Sequence, residues 1–348
     1  MDVLLVDPLV PEALAWLQER YQVAYQPELA DDPAGLRQAV ADTRAIVVPP
    51  HVIISAEFLE HAPLLQMVAR MQISSDNTDL EACSRRGVRV LQARSATVRS
   101  NAEYLLYGLL MLYRRGMVSA LLGRKLGQVR MGRELAGRTV GLLGMAPVAH
   151  TLAPMLRCLG VRVLGYDPAV HHAAELWGKL GVEPVPYDEL LSRSDAISLQ
   201  MVYASRFKGW INERLLNHCK PGQLWVGVSR SALFDPEALA LALCDGRIDA
   251  CLLDGANPAF AAAGSPLHGV PNLHLTPRLG SHTREAKLRA SWYLARRIHE
   301  TLSPEEARRE PGGSDFAALD STGFPESGDP PQAATPSQWA SLAMHDRD

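Results

Sequence analysis

At 348 residues the chain is long enough for two domains and a tail, and 47% of it is apolar, the share of an ordinary globular protein. Its formal net charge of −3 supplies none of the concentrated basic surface that nucleic acid or an anionic membrane requires, so neither is expected as a partner. The five cysteines are scattered, with no CxxC pair and no His/Cys group at metal-ligand spacing, which predicts reduced thiols and no metal site.

The chain opens on a strand-like run, Val3-Leu4-Leu5-Val6, without the charged start and long apolar stretch of a secretory signal. No run approaches the roughly 20 apolar residues that span a bilayer, and a cytoplasmic protein is expected. A helical pattern follows from Pro11, then a strand at AIVVP (45–49) and a helix from Ser55 with Glu57 behind it. Met67-Val68-Ala69 reads as a strand, Leu80 to Arg86 as a short helix closed by Gly87, and Val88 to Leu91 as a strand. This alternation predicts a small parallel α/β domain. The segment 101–113, NAEYLLYGLLMLY, is apolar almost all round and predicts a helix buried between domains or subunits.

A second α/β run starts at Thr139. Its strands are VGLLG, VRVLGYD, AISLQM, LWVGVS, ACLLD and HLTP, six in number and enough for a full doubly wound sheet. Residues 285–302 read as a last helix. Beyond Ser303, Pro, Gly, Ser, Asp and Glu dominate and apolar periodicity stops, so 306–348 reads as a disordered tail.

The first βαβ unit of the second run, residues 137–168, carries a phosphate loop. A GxGxxG fingerprint is present as Gly144-Met145-Ala146-Pro147-Val148-Ala149, and Asp167 ends the next strand about twenty residues on, where a carboxylate accepts ribose hydroxyls and disfavours the extra phosphate of NADP. Alanine at the third position is an accepted variant. At the second position, the Ala146 methyl sits where backbone must approach the pyrophosphate, and Pro147 suits a first helical turn while lacking the N–H that an anion would take. Two readings follow: an NAD site of weakened affinity, or a scaffold that no longer binds a dinucleotide.

The segments APLLQMVAR, DNTDLEACSRRGVRV, ELAGRTVGLLG, VRVLGYDP, LLSRSDAISL, KPGQLWVGVSR, ALALALCDGRIDACLLD and NLHLTPRLG fall in an order and spacing that resemble the D-isomer-specific 2-hydroxyacid dehydrogenase family over residues 1–302. The resemblance implies a Rossmann NAD domain, 99–286, inserted into a smaller flavodoxin-like substrate domain of residues 1–98 plus 287–305. It also implies hydride transfer between NAD(H) and a small anionic 2-hydroxy or 2-oxo acid, and a homodimer. Arg230 matches the arginine that holds the substrate carboxylate and carbonyl, and Asp254 the aspartate that contacts the nicotinamide carboxamide. The cofactor-binding set is then Gly144, Ala146, Pro147, Val148, Asp167, Val202, Val228, Arg230 and Asp254, and the substrate-binding set is Ile73, Ser74 and Arg230.

The family's catalytic histidine, expected in a T-P-H run, is matched by Arg278 in Thr276-Pro277-Arg278, and a guanidinium with a pKa above about 12 shuttles no proton near pH 7. The glutamate that tunes that histidine is expected near Ala259, where Gly255-Ala256-Asn257-Pro258-Ala259 has no carboxylate. His282, four residues after Arg278, and His274 are substitute candidates for the acid. Side chains of Arg70 to Ser75 also stand where the family places glycines. Read positively, Arg278 and Arg230 would set two guanidinium groups in one cleft, suited to a dianion. The alternatives are an NAD-dependent oxidoreductase with altered proton delivery and a catalytically silent ligand sensor or scaffold of the same fold.

Overall fold

The computed structural model describes residues 1–71, 77–115 and 131–307. The expected substrate positions Ile73 and Ser74, and the tail from 308, lie outside the described residues. Residues 306 and 307 belong to a short terminal helix and not to the tail.

Two parallel sheets carry the fold. The first holds β1 (Val3–Leu5), β2 (Val23–Tyr25), β3 (Ala45–Val47), β4 (Met67–Arg70) and β5 (Arg89–Gln92) in the order β2-β1-β3-β4-β5. Its helices are α1 (Pro11–Gln18), α2 (Pro33–Ala39), α3 (Ala56–Glu60) and α4 (Leu80–Arg85). Both faces are covered, so the inner strands β1 and β3 are unbroken apolar runs, wholly buried. Val3, Leu5, Val47 and Met67 face α1, while Leu4, Ile46 and Val68 pack with residues of α2, α3 and α4.

Helix α5 (Val98–Tyr113) leads into the second sheet. Its strands are β6 (Thr139–Leu143), β7 (Arg162–Tyr166), β8 (Glu183–Pro184), β9 (Ala196–Leu199), β10 (Gln223–Gly227), β11 (Ile248–Asp254) and β12 (Leu273–Thr276). They lie in the order β12-β11-β10-β9-β6-β7-β8, the doubly wound arrangement with its reversal between β6 and β9. The seventh strand, β8, is a two-residue edge that leaves too little pattern to read. Connecting helices are α6 (Pro147–Cys158), α7 (Glu175–Leu180), α8 (Tyr187–Arg193), α9 (Glu213–Leu216) and α10 (Pro236–Cys244).

Within one chain, α5 is covered on one side only. The helix lies flat on the second sheet, so close that a Cβ on Gly108 would come within 2.6 Å of Val226 Cγ2. Its opposite side is exposed, with Tyr107 at 51% and Leu110 at 41%.

The chain then returns to the first sheet. Helix α11 (Arg284–Leu302) starts where Thr283 Oγ1 accepts the Ala286 N–H, and α12 (Pro304–Ala307) follows it. Ala290, Leu294, Ala295, Ile298 and Leu302 pack into the core formed by β1, β3, β4 and α1. No helix among the described residues is long and apolar enough to cross a membrane, and no group of three His, Cys, Asp or Glu among them could hold a metal ion.

Candidate functional site

Parallel strands of both sheets deliver their C-terminal ends to loops, and in the second sheet these loops bring most of the expected residues together. The turn after β6 is built around Gly144, whose φ of +98° is open to glycine; a Cβ there would lie 2.5 Å from the backbone Cα of Met201, which cannot retreat as a side chain would. The Gly144 carbonyl takes Gln200 Nε2 at 2.6 Å, and Gln200 Oε1 in turn takes the Ser198 hydroxyl at 2.8 Å. The strand–turn–helix is thus clamped to the end of β9.

Beyond the turn, Ala146 is the N-cap of α6 and Pro147 its first residue. Ala149 is fully buried against the core and turns its N–H to Ala146 O at 2.7 Å, so alanine fits at the third fingerprint position. Pro147 has no N–H, which leaves Val148 to supply the outward donor of the first turn. Burial holds the His150 imidazole below its ordinary pKa, and the neutral ring donates from Nε2 to Met145 O at 3.1 Å.

Asp167 stands one residue past β7. Its Oδ2 accepts the Met145 N–H at 2.7 Å and its Oδ1 the Ala169 N–H at 2.8 Å. A carboxylate oxygen has room for a second donor, so this half-exposed group still suits ribose hydroxyls. A glycine-only turn at a helix N-terminus, with a carboxylate across from it, fits a dinucleotide. Val202 is 70% exposed beside this turn, whereas Val228 is half-buried against the core.

Arg230 follows β10, and its guanidinium carbon lies 5.2 Å from the centre of the Tyr203 ring, a cation–π contact. The neighbouring Ser229 hydroxyl donates to Met201 O at 2.9 Å. Residues 201–203 therefore touch the phosphate turn on one side and Arg230 on the other. The sequence reading passed over Tyr203; its place just past a strand end was the available signal.

Asp254, 7% exposed at the end of β11, organises the loop that carries Arg278. Its Oδ1 accepts the Thr276 hydroxyl and the Leu279 N–H, both at 2.7 Å, and its Oδ2 the Gly280 N–H at 2.9 Å. Thr276 spends its proton on Asp254, so Tyr104 is the donor in the 2.6 Å contact with Thr276 Oγ1, and burial pushes the Tyr104 phenol up to about 12. Arg278 is exposed and has a left-handed backbone, φ +55°, with its N–H on Thr276 O at 3.1 Å.

The two histidines separate. His282 is exposed in the turn before α11, its backbone N–H bonded to Leu279 O and its side chain without a hydrogen-bond or ion-pair partner among the described residues. His274 is buried on β12, two residues before Thr276, and burial lowers its pKa. In 255–259, Asn257 uses its side-chain oxygen to accept the Ala259 N–H at 2.9 Å.

In the first sheet, Arg70 at the end of β4 is fully buried. It donates to the carbonyls of Pro49 (2.6 Å), Val52 (2.8 Å) and Asn77 (3.0 Å) and to Thr78 Oγ1 (3.1 Å), and burial lowers its pKa. Arg70 pins loop ends together, each of its guanidinium nitrogens engaged by the protein.

Residues 110–280 match the family model described as D-isomer specific 2-hydroxyacid dehydrogenase, NAD binding domain. A relative named (S)-sulfolactate dehydrogenase, from Chromohalobacter salexigens, is 32% identical over 304 residues, covering 86% of this chain and 98% of the relative. The D-3-phosphoglycerate dehydrogenase of Mycobacterium bovis is 33% identical over 309 residues, which is 87% of this chain and 57% of that longer protein. The crystal structure of a Thermus thermophilus protein superposes with a TM-score of 0.74 at 28% identity, covering 90% of this chain and 99% of that one. The cofactor of the second sheet is NAD.

Proposed function

Because the chain belongs to the D-isomer specific 2-hydroxyacid dehydrogenase family, we propose that it interconverts a small 2-hydroxy acid and its 2-oxo acid with NAD, Arg230 gripping the acid's carboxylate and carbonyl oxygen. The observation that carries this is the 201–203 segment, whose Met201 backbone closes on Gly144 while Tyr203 lies under Arg230. One rigid loop sets the dinucleotide turn and the carboxylate clamp at a fixed spacing, as hydride transfer needs.

Ala146, Pro147 and Val148 would face the pyrophosphate, Asp167 the ribose, Val202 and Val228 the rest of the cofactor, and Asp254 the carboxamide through the acceptor position left on Oδ2. Bound NAD supplies the hydride acceptor or donor. The chain's own part is to bind, orient and charge-match the acid. Proton transfer is where this member departs from its family: Arg278 stands at the histidine position, His282 is solvated, His274 is buried and 255–259 offers no carboxylate. A positioned general acid is worth about 10²–10⁴ in rate, so turnover through solvent water is slow by that factor.

Purified protein should quench or enhance NADH fluorescence on titration and oxidise NADH with some member of a 2-oxo acid panel, and Arg230→Ala should abolish that turnover at saturating NADH. No NADH binding at millimolar concentration would end the proposal. A second reading, a silent ligand sensor, is favoured by Pro147 at the anion-facing end of α6; NADH binding without turnover on any acid would select it.

The exposed apolar stripe of α5 supports a homodimer through this helix. Five free cysteines suit a reducing compartment, which supports a cytoplasmic setting.

A further inference from the structure

We propose that Arg278 is the receptor for a second anionic group, so that the acid taken by this site is multiply charged: a 2-hydroxy or 2-oxo acid bearing a sulfonate, phosphate or second carboxylate. The inference rests on the reading of Arg230 as the carboxylate clamp and names the substrate class for that site.

Three observations carry it. The first is direction. β11 lies between β12 and β10, and Arg278, beyond the end of β12, lays its stem on Gly255, beyond the end of β11: a Cβ on that glycine would lie 2.7 Å from Arg278 Cγ and 3.6 Å from its Cδ and Nε. The side chain therefore leans inward across β11, toward the strand that carries Arg230, and not off the sheet edge. Two strand spacings put the ends of β10 and β12 about 10 Å apart, within the span of an extended small acid that carries an anionic group at each end.

The second is fixation. Long side chains rarely adopt a left-handed backbone, and here it is imposed by Asp254, which holds Thr276, Leu279 and Gly280 on either side of Arg278. Tyr104 backs that latch through Thr276. A solvated arginine needs no such frame.

The third is charge. The loops that follow β9, β10, β11 and β12, residues 200–212, 228–234, 255–272 and 277–283, contain no aspartate or glutamate in a protein of net charge −3. They contain Arg206, Lys208, Arg230 and Arg278. Three acids border these loops and each is engaged: Glu213 pairs with Arg247, Asp235 accepts the Ala238 N–H at the start of α10, and Asp254 is buried and holds three donors. A field of one sign in a cleft selects the more highly charged ligand.

The test compares lactate with malate, 3-sulfolactate and 3-phosphoglycerate as ligands of the NADH-saturated protein, by calorimetry at low salt. At least one of the three multiply charged acids should bind about tenfold or more tighter than lactate, and which one does identifies the second group. Arg278→Gln should erase that preference and leave lactate affinity and the thermal melt unchanged, Arg278→Lys should keep part of it, and Arg230→Gln should weaken all four ligands. Equal binding of lactate and all three multiply charged acids, or a preference that survives Arg278→Gln, would overturn the inference and leave the proposed function standing. Binding of NADH with none of the four acids bound would overturn the inference, and the absence of turnover across the 2-oxo acid panel as well would overturn both.

Discussion

Pro147 occupies the first position of α6, where its ring suits the helical backbone and its missing N–H does not suit an anion. Ala146 before it adds a methyl at the closest approach of the loop. Gly144 is different, because its positive φ and the Met201 backbone behind it leave no room for change. One position of the fingerprint is thus held by the fold, while the two after it are free to drift with cofactor affinity. Pro147→Ala restores a charge-assisted hydrogen bond worth about 1.5–3 kcal/mol, so the Kd for NADH should fall roughly ten- to a hundredfold with little change in Tm. Fluorescence titration of the variant beside the parent checks this; an unchanged Kd would show that the missing N–H does not limit binding. The same loop marks the limit of sequence reading at this scale. Gly144 and Asp167 were legible because a βαβ unit fixes their spacing, but the Tyr203 ring under Arg230 and the three donors on Asp254 depend on packing. Tyr104 and Thr276, joined in that latch, are 172 positions apart in the chain.

Elements of the second sheet are tied at their N-terminal ends by Asp195, just ahead of β9. Its Oδ2 accepts the Thr139 N–H at the start of β6, 3.0 Å, and its Oδ1 pairs with Lys220 Nζ at 2.5 Å. Burial alone would raise this carboxyl, but Lys220 and the Thr139 N–H outweigh it and hold the pKa below the ordinary value. A depressed carboxyl stabilises the fold above the unfolded-state pKa of about 3.9, and that contribution is lost as pH falls through the folded-state value. Asp195→Asn should therefore lower Tm by a few degrees at pH 7, and the gap to the parent should shrink as the pH drops below about 4. Melts of both proteins across that range decide it, since a pH-independent gap would assign the loss to packing. Strands flanked by helices on both faces were legible as continuous apolar runs, which is why six of the seven strands here could be read. β2 and β8 were missed because they are short edge strands, only partly buried, and short edges carry no alternation to detect.

At the scale of the molecule the chain makes one sheet, crosses to a second, and sends α11 back to finish the core of the first; the family resemblance, and not periodicity, made that return legible. Arg289 Nε on Ala96 O at 3.0 Å and the Val10 N–H on Ser291 Oγ at 3.1 Å fasten the returning helix to the segment before α5 and to the first sheet. Helix α5 then stands where the second sheet begins, with its tightest face, at Gly108, fixed on Val226 and Leu252. Glu103, Tyr107, Leu110 and Arg114 form the exposed stripe opposite, two large apolar side chains between an acid and a base. Such a stripe is self-complementary when two copies meet antiparallel about a two-fold axis, because Glu103 of one helix then approaches Arg114 of the other while Tyr107 and Leu110 close between them. The protein should accordingly run as a dimer at micromolar concentration in light scattering, and Tyr107→Glu with Leu110→Glu should yield a monomer whose fold is retained, since both positions are exposed within one chain. A parent protein that scatters as a monomer, or a double variant that remains a dimer, would remove α5 as the interface.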